Sequence, residues 1–201
     1  MAEGFRRHTT YRMDQRFFDP FVHALTVISE PHRMIHDGFM FDSTGIFAAV
    51  ANGATVDTLF TFPAGVIGHL TNVEYQLDDA PCLAEFYENV VTSADGTAAL
   101  VVNKNRIIAP AAPGAVITDA PTITDIGDLL YSRHIPSASS PGQQAAGALV
   151  PGDEHEWVIG ATTVEKKFLW RITNNSGGPI TIGYHFNGYE IGYEHNERIT
   201  V

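Results

Sequence analysis

The chain predicts an all-β protein: an antiparallel two-sheet sandwich, jelly-roll-like, preceded by an N-terminal arm. Three observations predict it. From residue 38 onward apolar and polar residues alternate with a period of two, the signature of strands with one wet face. Turn pairs such as Asn52-Gly53, Asp95-Gly96 and Gly177-Gly178 punctuate the alternation. Long helical periodicity and internal repeats are absent. At 201 residues the chain suits one β-domain with a sizeable core. We divide it into an arm, residues 1–22, and a single sandwich domain, residues 23–201.

The arm carries Arg6, Arg7, Arg12 and Arg16, four of the 12 Lys and Arg residues, among Phe5, Tyr11, Phe17, Phe18 and Phe21. Asp14–Phe18 reads as one short helix, capped by Asp14 and stopped by Asp19-Pro20. Two readings stand for this segment: a frayed terminus, or an arm lying on a neighbouring subunit or partner.

The first strand signals are Phe39–Phe41 and Ile46–Val50, followed by the Asn52-Gly53 hairpin turn. Val56, Phe60 and Phe62 share one face of the next strand, and Val73, Tyr75 and Leu77 alternate with Asn72, Glu74 and Gln76. Leu83–Val91 and Ala98–Val102 flank Asp95-Gly96 and predict a hairpin. Six prolines loosen residues 109–153, where Ser137–Gly147 reads as a small-residue loop and strands fall near Ala115–Ile117 and Asp128–Tyr131. After a strand near Glu156–Ile159, Phe168, Trp170 and Ile172 line one face. Asn174–Gly178 turns the chain as a hairpin, and Ile180, Ile182, Tyr184 and Phe186 alternate with Thr181, Gly183, His185 and Asn187.

An apolar share of 44% with 17% charged residues describes a globular chain. The net charge of −11 argues against a nucleic-acid binder, which needs a Lys and Arg surplus. Cys82 is the only cysteine, so no intrachain disulfide forms. The first residues lack the apolar core of a signal peptide, and no run of about 18 uncharged apolar residues marks a membrane span. We therefore expect a soluble protein made in a cytoplasm.

Catalytic constellations are not evident. Nine histidines include His32, His36, His69, His155, His185 and His195, but His-x-His is missing, and a helix under His32 and His36 has weak support. No Gly-x-Ser-x-Gly elbow occurs, and Cys82 follows Pro81 with no histidine nearby. Asp78-Asp79, Asp153-Glu154 and Glu194 read as acidic loops rather than acid-base pairs. Asn174-x-Ser176 matches a glycosylation acceptor without consequence in a chain lacking a secretion signal. We expect no catalytic, metal or cofactor residues, and no enzyme.

Recognition residues are easier to find. Asn103-x-Asn105-Arg106 is a polar cluster that no core needs, suited to holding a loop or meeting a partner. With Arg6, Arg7, Arg12, Arg16, Phe17 and Phe18 it forms the expected partner-binding set. Tyr184, Tyr189 and Tyr193 near Trp170 suggest a glycan-stacking platform, although Trp170 and Tyr184 follow the buried face.

Taken in order, a series of motifs over roughly residues 32–194 resembles the head decoration, or capsid cement, proteins of tailed bacteriophages. The series begins with Ile35-His36-Asp37-Gly38-x-x-Phe41, His69, Tyr87-Glu88, Ser93-x-x-Gly96-Thr97 and Asn103-x-Asn105-Arg106. It continues with Pro121–Thr124, then the tetrapeptide at 156–159, Arg171–Gly177, and Tyr189-Glu190 or Tyr193-Glu194. The resemblance implies a jelly-roll-like subunit on the virion exterior, in trimers or, in some relatives, dimers, bridging neighbouring major-capsid subunits. It implies no catalytic residues; we expect no cofactor and, from the charge and the lack of an apolar span, no nucleic-acid or membrane partner. The basic-aromatic arm and the tail past Glu190 depart from the pattern.

Overall fold

Strands with one apolar face bury it by stacking two sheets, and this chain does so. The computed structural model describes residues 17–18, 25–26, 30–77, 81–105, 107, 113–136, 145–148, 157–161 and 163–192. In chain order the elements begin β1 Phe17–Phe18, β2 Leu25–Thr26, α1 Glu30–His36, β3 Met40–Val50, β4 Thr55–Phe62 and β5 Val66–Leu77. Next come β6 Cys82–Glu88, β7 Val91–Ala94, β8 Thr97–Ala98, β9 Leu100–Asn103, β10 Val116–Asp119 and β11 Thr122–Asp125. The last are β12 Asp128–Ile135, β13 Ala145–Ala148, β14 Trp157–Gly160, β15 Lys166–Asn174 and β16 Ile180–Gly192.

Sheet I has the order β12-β6-β15-β4-β10-β8, and sheet II the order β13-β5-β16-β3-β9, with β14 also paired to β5. The pairings are antiparallel, and β1-β2 and β7-β11 form separate two-stranded ribbons. The two-sheet antiparallel sandwich predicted from the alternation is therefore present.

Strand partners differ from expectation in an instructive way. Consecutive strands β3, β4, β5 and β6 fall alternately in sheets II, I, II and I. Asn52-Gly53 and Asn174–Gly178 are therefore crossings between sheets, not hairpins. The Asp95-Gly96 hairpin does not form either: β7 pairs with β11, β8 with β10 and β9 with β3. Gly96 takes a φ of 90° there, and Thr118 donates its hydroxyl to the Asp95 carbonyl, which holds the link between β7 and β8 against β10. Residues 145–147 of the expected loop belong to β13, beside β5. Phe17–Phe18 pair with Leu25–Thr26 as strand where a helix was expected.

A helix does form at Glu30–His36, against the sequence reading. Pro31 in its first turn fits a position whose N–H needs no partner. At its end Phe39 N–H donates to Met34 O at 2.9 Å and Gly38 N–H to Ile35 O at 3.1 Å, a Schellman closure with Gly38 at φ 78°. Both signals stand in the sequence; seven residues are too few for periodicity to announce them.

The main core lies between the sheets. Phe60, Phe86, Phe168 and Trp170 from sheet I meet Tyr75, Ile182, Tyr184 and Phe186 from sheet II. Rings of Phe60 and Phe186 meet edge-on at 5.0 Å across the sandwich. Polar clasps complement the apolar layer. Tyr184 in β16 donates to Asp119 in β10 at 2.8 Å, and Thr58 donates to the same carboxylate at 2.9 Å. Burial first, and the hydrogen bond to Asp119 second, push the Tyr184 hydroxyl well above the usual phenol range. The ring occupies the space a Cβ would need at Gly45, so that position is open only to glycine.

Candidate functional site

The two outer faces of the sandwich are covered to different extents. On sheet I the β7-β11 ribbon folds over Leu59 and Leu169, with Ile123 and Ile126 packed on them. Beside it Arg171 makes a two-pronged bond to Asp57, at 2.7 and 2.8 Å. Lys167 reaches Asp95 at 2.7 Å and Thr92 at 2.8 Å, tying the ribbon to β15 and holding the Asp95 carboxyl below the usual range. On sheet II, α1 covers one end only, where Met34 packs on Met40, Ile67 and Tyr189. His69 stacks on Tyr189 with ring centres 4.4 Å apart.

The remainder of that face is open, and register fixes its residues row by row. One row reads Val102, Asp42, Asn187, Asn72 across β9, β3, β16 and β5. The next reads Leu100, Thr44, His185, Glu74, and the last Ile46, Gly183, Gln76. Ile46 is 75% and Leu100 66% exposed, large apolar side chains held out to solvent at the edge of the sheet. β9 pairs only Phe41–Thr44, so from Gly45 onward β3 has no strand on that side among the described residues. Gly183 leaves the middle of the face without a side chain. The result is a groove of about 570 Å³ between Ile46, Thr44, Glu74, Gln76 and His185.

Charge on this face is internally paired. The His185 ring lies between two carboxylates, Nε2 to Asp42 at 3.2 Å and Nδ1 to Glu74 at 3.5 Å. Lys104 lies 3.4 Å from Asp42, and Asn72 donates to Glu74 at 2.7 Å. The Asn72 amide first, and His185 second, hold the Glu74 carboxyl below its ordinary value. Polar contacts of this kind fix side chains in place but contribute little binding energy when exposed. Apolar Ile46 and Leu100 are the part of the face that gains most from being covered.

Inside the sandwich, below this face, a cavity of about 60 Å³ is lined by Phe41, Phe62, Leu70, Ile117, Phe186 and Glu190. Ligand pockets run to about 300 Å³ or more, so this is a packing gap. Glu190 accepts backbone N–H bonds from Gly114 at 2.6 Å and Ala115 at 2.9 Å, clasping that loop to β16. Burial nevertheless pushes its carboxyl above the ordinary value, outweighing both bonds. A carboxyl raised on folding contributes stability that is full below its unfolded value, near about pH 4.3, and is lost as pH rises through the folded value. Glu190→Gln should lose about 1 kcal/mol through one missing backbone bond when the pH is near 4. That deficit should shrink toward neutral pH, as read from urea midpoints of both proteins across the range. A deficit that grew with pH would contradict the assignment.

The sequence-predicted residues divide sharply. Asn103 is buried and donates to Gly38 O at 2.5 Å, while its oxygen accepts Asn105 N–H at 2.8 Å. Asn105 donates to His36 O at 2.8 Å and accepts Ile107 N–H at 3.0 Å. Of the two roles read for the cluster, the geometry displays loop-holding: the pair fastens α1 to β9. Arg6, Arg7, Arg12, Arg16 and Arg106 lie outside the described residues, as does Tyr193. Of Phe17 and Phe18 only the pairing with Thr26 and Leu25 is described. The aromatic platform is not on the surface: Trp170, Tyr184 and Tyr189 are all buried. Asn174 is buried, closed to glycosylation, and burial pushes the Cys82 thiol up. Among the described residues no group of three or more His, Cys, Asp or Glu is placed to hold a metal ion.

Sequence reasoning passed over Ile46, Leu100 and Gly183. Alternation put Gly183 on the polar set of its strand, but Ile46 and Leu100 stand among apolar neighbours, and their exposure at an edge follows from strand order, which local pattern does not carry. No protein-family model, no curated protein and no solved structure matches the chain, so what bears on its function is its own geometry.

Proposed function

We propose that the chain is a structural protein of a tailed-phage virion, a jelly-roll-like head decoration protein that binds the outer surface of the major capsid lattice and stabilises the head. The observation that carries this reading is the open face of sheet II, with Ile46 and Leu100 exposed beside the glycine floor at Gly183. An apolar edge next to a face whose polar groups bond to one another suits docking on another protein surface better than it suits chemistry. A clamp that binds only the assembled lattice stabilises it by mass action, and a trimer or dimer multiplies modest contacts. Copies around an axis would cover one another's edge strands. On this reading the protein is made in the host bacterial cytoplasm and ends on the capsid exterior. The basic arm, with Arg6, Arg7, Arg12, Arg16, Phe17 and Phe18, would serve as a second contact on an acidic chain.

The test is co-sedimentation with undecorated heads. Ile46→Asp combined with Leu100→Asp should weaken capture at least about tenfold, the loss expected for apolar anchors of an interface. Both positions are exposed, so the fold survives the change. Capture at wild-type strength, or turnover of a substrate by the isolated chain, would defeat the proposal. Deleting residues 1–22 should change capsid binding or oligomer size; if neither moves, the arm has no part in it. The polar groove lined by Thr44, Glu74, Gln76 and His185 favours a second reading, a virion-displayed glycan-binding module. A glycan signal abolished by Glu74→Ala and Gln76→Ala, with no capsid capture, would select that reading.

A further inference from the structure

We propose that His32 and His36 form a two-histidine clamp for a divalent first-row transition-metal ion, held most tightly when the ion is copper(II). The residues are four apart on α1, and side chains at that spacing share one helix face. Both are exposed, their ring centres lie 4.7 Å apart, and the two Nε2 atoms approach to 3.0 Å. Two imidazole nitrogens each about 2.1 Å from one metal, at right angles, are separated by about 3.0 Å; at the tetrahedral angle the separation is about 3.4 Å. The observed spacing therefore matches adjacent positions of a square or octahedral ion. Imidazole suits copper, nickel and zinc, and copper(II) binds tightest of the divalent series.

The rings sit on a fixed base. The His36 carbonyl accepts the Asn105 amide at 2.8 Å, the Schellman turn at Gly38 closes the helix, and Met34 anchors it to the sheet. A clamp set before the ion arrives loses little side-chain freedom on binding. Asp37, next to His36, is engaged by Arg33 at 2.7 Å, so the neighbouring charges cancel. In the apo pair one Nε2–H is donated to the other ring. Binding shifts that tautomer so both rings carry Nδ1–H and both Nε2 lone pairs meet the ion, with no net proton change for a neutral pair. Water fills the other coordination positions.

The probe is copper(II) chloride added to the full chain at neutral pH in a non-coordinating buffer, followed by calorimetry and electron paramagnetic resonance. The first equivalent should show nitrogen ligation and raise the melting temperature by mass action. His32→Ala and His36→Ala should each weaken it at least about tenfold, since loss of an outer-shell partner alone costs that much. Alanine is a better helix former than histidine, so both variants keep α1. His134→Ala, exposed on β12, should leave the first equivalent unchanged. If the double variant His32→Ala/His36→Ala keeps the first equivalent at wild-type affinity through the other histidines, or the wild type binds none, the clamp is overturned.

Discussion

Phe86→Ala should unfold at a much lower urea concentration than the wild type, at a cost of about 3–5 kcal/mol, with an unchanged denaturant slope. Phe86 is fully buried on β6, between β12 and β15. Its ring stands 5.1 Å from Trp170, 5.3 Å from Trp157, 5.9 Å from Phe168 and 6.4 Å from Phe60. Trp157 belongs to a strand of sheet II, so the cavity left by alanine would open between two hydrogen-bonded sheets. Neither sheet can close over it without breaking strand pairs, which places the cost near the upper part of the range. Leu129→Ala is the companion measurement. Leu129 is exposed on the same neighbouring strand, and truncation there should cost no more than about 0.5 kcal/mol. Equal losses at the two positions would mean that the two sheets do not meet around Phe86.

What the sequence discloses about this fold is the part each strand records on its own. Phe168, Trp170 and Ile172 face the core because the pleat sends alternate side chains to one side, and that is legible wherever a strand sits. Partner choice is a property of pairs of strands far apart in the chain. Asp95-Gly96 shows the difference: the dipeptide reads as a hairpin turn, but the strands it links pair with β11 and β10, which lie some two dozen residues on. Tyr189 fails differently. It lies on the outward face, in the same row as Met40 and His69, as alternation requires. It is nonetheless buried, because α1, the element the pattern missed, covers that row. The same omission hid the clamp, since two histidines four apart share a face only on a helix. For the docking face the loss of information is of the first kind. Ile46 and Leu100 look like core residues in the sequence, and only their position at the end of a strand order leaves them in water.

Asn174 supplies the other large effect, through polarity rather than volume. It is fully buried at the end of β15, where the chain leaves sheet I for sheet II. Its amide donates to Val50 O and Gly178 O, both at 2.8 Å, and its oxygen accepts Ser176 N–H at 2.8 Å. Its backbone bonds Gly53 and Ala54, at 2.7 and 3.0 Å, so one residue joins both crossings at this end of the sandwich. Asn174→Ala should cost about 2–3 kcal/mol, because the buried Val50 carbonyl loses its side-chain donor and Ser176 N–H its acceptor, while Gly178 O keeps the Ser176 hydroxyl. Asn174→Asp keeps the shape and the acceptor, yet should be worse at neutral pH, about 3–5 kcal/mol, since a carboxylate would face two carbonyl oxygens without a counter-ion. Burial would raise that carboxyl above its unfolded value of about 3.9, so its penalty grows as pH rises from there and is relieved as pH falls toward about 4. The neutral acid regains one donor, which predicts a crossing: below it the aspartate variant is more stable than the alanine variant, above it less. Urea unfolding of both variants across that range reads the crossing directly. An aspartate variant that matches the wild type at neutral pH, or whose deficit ignores pH, would show that Asn174 does not hold the two carbonyls.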